Sequence, residues 1–531
     1  MTNPILPGFH PDASAVQVGR DYYIATSTFE WWPGIDIYHS HDLVNWTWKA
    51  APIDRPSLIP SGLLGNYNSG SLWAPHLSWS DGLFWLVYTD VKSATAFKDT
   101  LNYVITAPKI EGPWSNPVLV TASGFDPALF HDDDGRHYFL NMLFDWRLDR
   151  PGFAGTVIQE FDTKTRALVG ERKHFYQGTS LGVCEGPQIL KKDGYYYLLC
   201  AAGGTGYNHA ATVARSKPLD GPWEDSPYFP LLTARDDPIN PLQKSGHACF
   251  LEKDGRWYIT HICARPLTER GNCTLGRETA LQEIEWVDGW PRLAGGGHHP
   301  ALTVNLPAPQ RRDCSERVAF APGRPLPPSF KTLRGPLEPE RDYSLTARPG
   351  WLRLYGGQSL SSHHRQTLFA RRWQSFHLAA SVTLDFAPGN FQQLAGLILF
   401  YDTCNWIYAF VTRQEHGRAL QIMRCDNNEF SYRSEEVPLP EGPLSLRVEV
   451  DRETARLFYR PEGEEYHPLG GVQPAVHLSD DYIEGRRGRC AFTGAMVGIC
   501  AQDMDSHRSH ADFSDFVYQE LEGTPSWQSS N

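Results

Sequence analysis

Three acids, Asp12, Asp126 and Glu185, and one histidine, His247, stand at matching places in a repeated pattern along the chain. Carboxylates gathered in that number suit acid and base chemistry on an uncharged substrate. One protonated carboxyl can feed a proton to a leaving oxygen while an ionised one activates water, and hydrolysis of a glycosidic bond needs that pairing. Asp12 lies in Gly8-Phe9-His10-Pro11-Asp12-Ala13-Ser14, Asp126 in Gly124-Phe125-Asp126-Pro127-Ala128-Leu129, and Glu185 in Val183-Cys184-Glu185-Gly186-Pro187-Gln188. An aspartate before proline or serine also caps turns, but turn capping does not explain a register shared by all three.

That register comes from five units in the first three hundred residues. Each is an apolar run, a turn with glycine and an aromatic-rich strand. The turn glycines are Gly19, Gly82, Gly135, Gly194 and Gly255, 53 to 63 residues apart, a period that suits one four-stranded propeller blade with its loops. Seven to nine residues before them lie Asp12, Ala74, Asp126, Glu185 and His247. On blades around one axis these positions converge. Four units close on a loop and a tryptophan (Trp46, Trp114, Trp223, Trp290), whereas the third ends in Phe161-Asp162-Thr163-Lys164-Thr165. The pattern predicts a five-bladed β-propeller over residues 1–306.

From Pro307 to Phe330 the chain is crowded with prolines and loses its periodicity, the mark of a linker or extended strap spanning 307–330. Beyond it, Phe376 to Leu384 and Leu444 to Val450 alternate apolar and polar residues, which predicts antiparallel strands in a β-sandwich over 331–531. The fold class is therefore all-β, a propeller followed by a sandwich.

The chain has 531 residues, too many for one core, and a formal net charge of −12. With no long basic block, that charge argues against a nucleic-acid partner. The start, Met1 to Gly8, has neither a basic segment nor a long apolar stretch, so no signal peptide and no membrane partner are expected, and the location expected is cytoplasmic. Ten cysteines without a Cys-x-x-Cys pair read as reduced core residues rather than a zinc site or disulfide framework.

The segments around Asp12, Asp126 and Glu185, together with Tyr22 to Trp31 and Leu72-Trp73-Ala74-Pro75-His76, resemble glycoside hydrolase family 43, and most of all its two-domain β-xylosidases. Phe492-Thr493-Gly494-Ala495-Met496-Val497-Gly498 is similar to a segment of that group's C-terminal, concanavalin-like or lectin-like sandwich. The resemblance implies Asp12 as general base, Glu185 as general acid, and Asp126 as the carboxylate that orients the acid and raises its pKa. It further implies Phe29 and Trp73 as apolar walls for a pyranose and Arg277 as a ligand of sugar hydroxyls. Thr205 and His247 become pocket contacts, and Met496 the residue that closes the pocket from the sandwich. The activity implied is that of an inverting, exo-acting β-1,4-xylosidase that releases xylose from the non-reducing ends of xylo-oligosaccharides. The protein is then expected as a dimer or tetramer. No cofactor is required, and a calcium or magnesium ion near His247 is optional. An α-L-arabinofuranosidase, or dual activity, is the nearest alternative, and a non-catalytic carbohydrate-binding propeller is a further one.

Overall fold

In a computed structural model the described residues are 1–310, 314–487 and 491–522. The chain divides into two compact units, one of Met1–Gly62, Gly70–Arg270 and Arg277–Arg311, the other of Leu63–Ser69, Gly271–Gly276 and Arg312–Asn531. Two short excursions of the first region thus belong to the second unit, an organisation that no composition shift marks.

The first unit is built from five antiparallel meanders of four strands, the fourth of which gains a short fifth strand, Leu232–Thr233. Their innermost strands are Ser14–Val18, Ser71–Ser80, Ala128–His131, Cys184–Lys192 and Gln243–Lys253. Each packs against the next and the fifth packs against the first, which closes a five-bladed propeller. Asp-Gly hairpins set the register of the inner strand pairs in three blades. Asp81 and Gly82 have φ of 52° and 75°, Asp193 and Gly194 49° and 78°, and Asp254 and Gly255 52° and 78°. Two successive left-handed residues define the tight turn whose twist matches its flanking strands.

Apolar residues alternate into the spaces between blades. Trp85, Val87, Val104, Leu129, Phe139 and Phe161 form one such cluster, and Phe161 meets Trp85 edge-on at 6.2 Å. In the third unit, therefore, a phenylalanine fills an inter-blade space at the end of a repeat where the other four units carry tryptophan. The ring is fastened where the two ends of this unit meet. The Met1 amino group donates to the Val304 carbonyl at 2.8 Å, Thr2 bridges Thr303, and Asn3 exchanges hydrogen bonds with Leu281.

In the second unit two antiparallel sheets enclose a single core. Leu378, Ala380, Val382 and Leu384, alternate residues of the strand His377–Asp385, face Leu397, Leu399, Ile407 and Ala409 of the other sheet's strands. Part of the expected linker belongs to this sandwich. Glu316–Val318 is a strand paired with His510–Glu520, and Val318, Phe320 and Phe330 are buried in the core. The prolines leave that short stretch free to pair, and three apolar side chains anchor it. None of the nine cysteines among the described residues is joined in a disulfide. No helix among those residues is long and apolar enough to cross a membrane.

Candidate active site

The five inner strands share one backbone feature at the end where the acids lie. A left-handed residue occurs at Asp12 (φ 58°), Ala74 (30°), Asp126 (53°) and His247 (49°), and in the fourth blade at Gly186 (55°). In blades two, four and five the ladder shifts register there, between Trp73 and His76, Glu185 and Gln188, and Gly246 and Cys249. Such a bulge bends the strand and re-aims its side chains. The expected equivalence of five positions is thus corrected in one blade. Gly186, not Glu185, matches Asp12, Asp126 and His247, and Glu185 sits one residue earlier in the regular ladder opposite Ala201.

Gly186 has a reason to lack a side chain. A Cβ there would come within 2.9 Å of His247 Nε2 while the backbone holds a positive φ. Its N–H also donates to the Asp126 carboxylate. Replacing Gly186 with Ala should therefore displace the His247 ring and the Asp126 contact together. We expect kcat/KM to fall about 10- to 100-fold with the fold retained, because ångström-scale misplacement has effects of that size. Circular dichroism with steady-state kinetics checks this, and unchanged kinetics would contradict it.

Asp12 is buried and closely held. Ser27 Oγ donates to its Oδ2 at 2.5 Å, Arg277 Nη1 lies 3.4 Å from Oδ1, and His247 Nδ1 is 3.7 Å from the same oxygen. Arg277 is itself buried, donates to Thr205 Oγ1 at 3.0 Å, and stacks its guanidinium 5.5 Å from the Phe29 ring. Phe29 exchanges backbone hydrogen bonds with Leu72, which carries it from blade one to the side of blade two. Its ring stands 6.3 Å from Trp73, and Trp73 is 5.5 Å from Phe125, both edge-on. The result is an apolar wall of aromatic rings beside a buried guanidinium.

Burial raises the Glu185 carboxyl to about 7, the Asp12 charge adds to the rise, and Arg277 opposes it. Asp126 is pushed well above the ordinary aspartate range by burial and by the charges of Glu185 and Asp12, against Arg277 and the Gly186 N–H. The Asp12 charge raises both groups, and Glu185 and Asp126 each disfavour ionisation of the other. Like charges close together in a dry site cannot all ionise. His247 lies below the ordinary histidine value because it is buried and near Arg277, with Asp12 pulling the other way.

The structure brings Asp12, Asp126, Glu185, Arg277, Thr205, His247, Phe29 and Trp73 together in the first unit. Met496 belongs to the second unit. It opens the strand Met496–Asp503 of the second unit, paired between Arg372 and Phe400, with 0% of its surface exposed. A side chain with no accessible surface presents no face to a sugar, which corrects its reading as a pocket contact. In the same segment Phe492, on the loop before that strand, keeps partial exposure. Sequence reasoning missed Ser27 and Gly186. Each lies inside a quoted motif within two residues of a named one, but only the bulge and the hydroxyl's aim reveal their roles.

The donors around His247 do not fit calcium or magnesium. Those ions take six or more oxygen ligands, and here one carboxylate oxygen and one imidazole are shared with a guanidinium that would repel a cation. His247 belongs to none of the groups of three potential ligands among the described residues.

Residues 1–291 match glycosyl hydrolases family 43, and residues 317–519 match the β-xylosidase C-terminal concanavalin A-like domain. The chain is similar to the β-xylosidase of Bacillus subtilis (strain 168), with 45% identity over 98% of this chain and 99% of that protein. It is 44% identical to xylosidase/arabinosidase 43B of Humicola insolens over 98% of each. Among solved structures, xylan β-1,4-xylosidase from Bacillus halodurans C-125 superposes with a TM-score of 0.94 at 46% identity, over 98% of this chain and all of that one.

Proposed function

The chain belongs to glycosyl hydrolases family 43, and from that premise we propose that it is an inverting, exo-acting β-1,4-xylosidase that frees xylose from the non-reducing ends of xylo-oligosaccharides. The observation that carries this reading is the pair of unlike carboxyls on one propeller face. Glu185 is raised to about 7, while Asp12 is fixed by Ser27 Oγ and faces Arg277. Different surroundings assign the two groups different work.

In this mechanism the xylose ring lies against Phe29 and Trp73. Arg277 donates to its hydroxyls while keeping its contact with Thr205. Glu185 holds its proton near neutral pH and delivers it to the glycosidic oxygen as the bond breaks. Asp12 takes a proton from water on the opposite face of the ring, and the Ser27 and Arg277 contacts fix where its lone pairs point. Asp126, anchored by the Gly186 N–H, disfavours ionisation of the neighbouring Glu185 and so helps the acid hold its proton. No step requires a metal ion. Inversion follows because water attacks once, from the side opposite the leaving group.

Location in the cytoplasm is supported by nine cysteines that form no disulfide among the described residues, since an oxidising compartment favours disulfides. Short oligosaccharides are the substrates that can reach such a site.

A second reading, α-L-arabinofuranosidase activity in the same pocket, is favoured by the 44% identity to a protein named xylosidase/arabinosidase. Parallel kinetics on nitrophenyl β-xyloside and nitrophenyl α-L-arabinofuranoside separate the two. We expect the higher kcat/KM on the xyloside. A higher value on the arabinofuranoside would overturn the xylosidase reading.

A further inference from the structure

Away from the carboxylates, Asp236, His298 and His299 form a cluster that the hydrolytic mechanism does not use. Asp236 lies just beyond the strand Leu232–Thr233 in the loop that enters blade five. The histidines follow the Gly295-Gly296-Gly297 turn after the last strand of that blade, Trp290–Leu293. His298 Nε2 is 2.9 and 3.2 Å from the two Asp236 oxygens, and His299 Nε2 is 2.9 Å from Oδ1. Asp237 adds a second carboxylate, 3.9 Å from His299 Nδ1.

Both loops are already fastened, so the ligand atoms do not depend on free side chains finding one another. The Thr233 N–H donates to the His298 carbonyl at 2.8 Å, Asn240 Nδ2 bridges Asp237 Oδ2 and the Pro300 carbonyl, and Gln243 Nε2 donates to the Asp237 carbonyl at 2.7 Å. The side chains remain open to solvent, at 31% for His298, 43% for His299 and 54% for Asp236, which leaves an entry path for an ion.

The geometry points to a binding site for a divalent transition ion of the zinc class, held by Asp236, His298 and His299 with water completing the shell. Two imidazole nitrogens and a carboxylate are the donors such ions choose, whereas calcium and magnesium favour all-oxygen shells. Tetrahedral zinc with its usual bond lengths places neighbouring donors about 3.3 Å apart. The imidazole–carboxylate separations need only open by a few tenths of an ångström, and all three donors lie within 4.8 Å of one another. A second cluster, Asp21, His39 and His41, is carried by the paired strands Asp21–Thr26 and Asp36–Ser40, but its His41 lies beyond the ladder and is largely exposed.

A bound ion would clip the loop leading into the strand of His247 to the segment that continues to Thr303 and Val304, where the N-terminus is held. It would therefore stabilise the propeller's closure and leave the chemistry untouched.

The test uses the full chain without a histidine tag, stripped with a chelator and titrated with zinc by calorimetry and with cobalt(II) by visible absorption. We expect one zinc per chain at this site, a tetrahedral cobalt band, and a thermal midpoint that rises with zinc. Asp236→Asn and His298→Ala/His299→Ala should each weaken zinc binding by at least about tenfold, abolish the midpoint shift, and retain wild-type turnover of nitrophenyl xyloside, which shows they are folded. Asp236→Asn keeps an oxygen for the imidazole hydrogen bonds, so a merely structural cluster would not lose zinc-dependent stabilisation through that change. Equal zinc affinity in wild type and both variants, no zinc binding to wild type, or loss of binding in His39→Ala/His41→Ala instead would each overturn the assignment.

Discussion

Glu185→Gln lowers the turnover of xylobiose by about 10²- to 10⁴-fold, the usual contribution of a positioned general acid, and lowers that of nitrophenyl xyloside much less. A sugar alkoxide departs poorly without a proton, whereas nitrophenolate leaves unaided. The loss should therefore scale with the basicity of the leaving group, and equal losses on both substrates would remove Glu185 from the acid role. In wild type the alkaline limb of the kcat/KM profile should fall as pH rises through about 7, where Glu185 loses its proton. In the variant that limb disappears.

The same carboxyl affects stability. Its folded value of about 7 lies above the ordinary 4.5, so the folded chain binds this proton more tightly than the unfolded chain does. The stabilising contribution is complete below the ordinary value and is lost as pH rises through about 7. Glutamine carries no such dependence. The thermal midpoint of Glu185→Gln relative to wild type should therefore be higher at pH 8 than at pH 5.

Asp12→Asn has the other large effect, and its pattern differs. An amide of the same shape keeps an acceptor for Ser27 but cannot take a proton from water. Turnover should fall by about 10²- to 10⁴-fold on every substrate regardless of leaving group, with binding of a competing xylose retained. Azide needs no deprotonation to attack. It should restore release of nitrophenol from the variant, with α-xylosyl azide as the product. A leaving-group-dependent loss, or a β-azide, would contradict the role given to Asp12.

Much of this architecture can be read from the chain because its turns are chemically explicit. The Asp-Gly pairs at 81–82, 193–194 and 254–255 force left-handed hairpins, and strands that follow such turns have a fixed register. Convergence of Asp12, Asp126 and His247 then follows from the repeat alone. The one-residue offset of Glu185 does not, since a bulge inserts a residue without altering the apolar pattern around it. Met496 misleads for a related reason. The segment from Phe492 to Gly498 offers two large apolar side chains, and only the start of a strand decides which is enclosed. Ser27 acts through the direction of its hydroxyl, and the stretch Glu316–Val318 looks like linker until its partner strand, almost two hundred residues later, is in place.

The most direct test of the central claim, single displacement by water under Asp12 with Glu185 as acid, is the configuration of the first xylose released. Proton NMR of nitrophenyl β-xyloside, whose leaving group contributes no second xylose, should show the α-anomeric signal during the first minutes of hydrolysis before mutarotation brings in the β. If β-xylose accumulates first, the enzyme retains configuration, and Asp12 would have to be a nucleophile instead of a base.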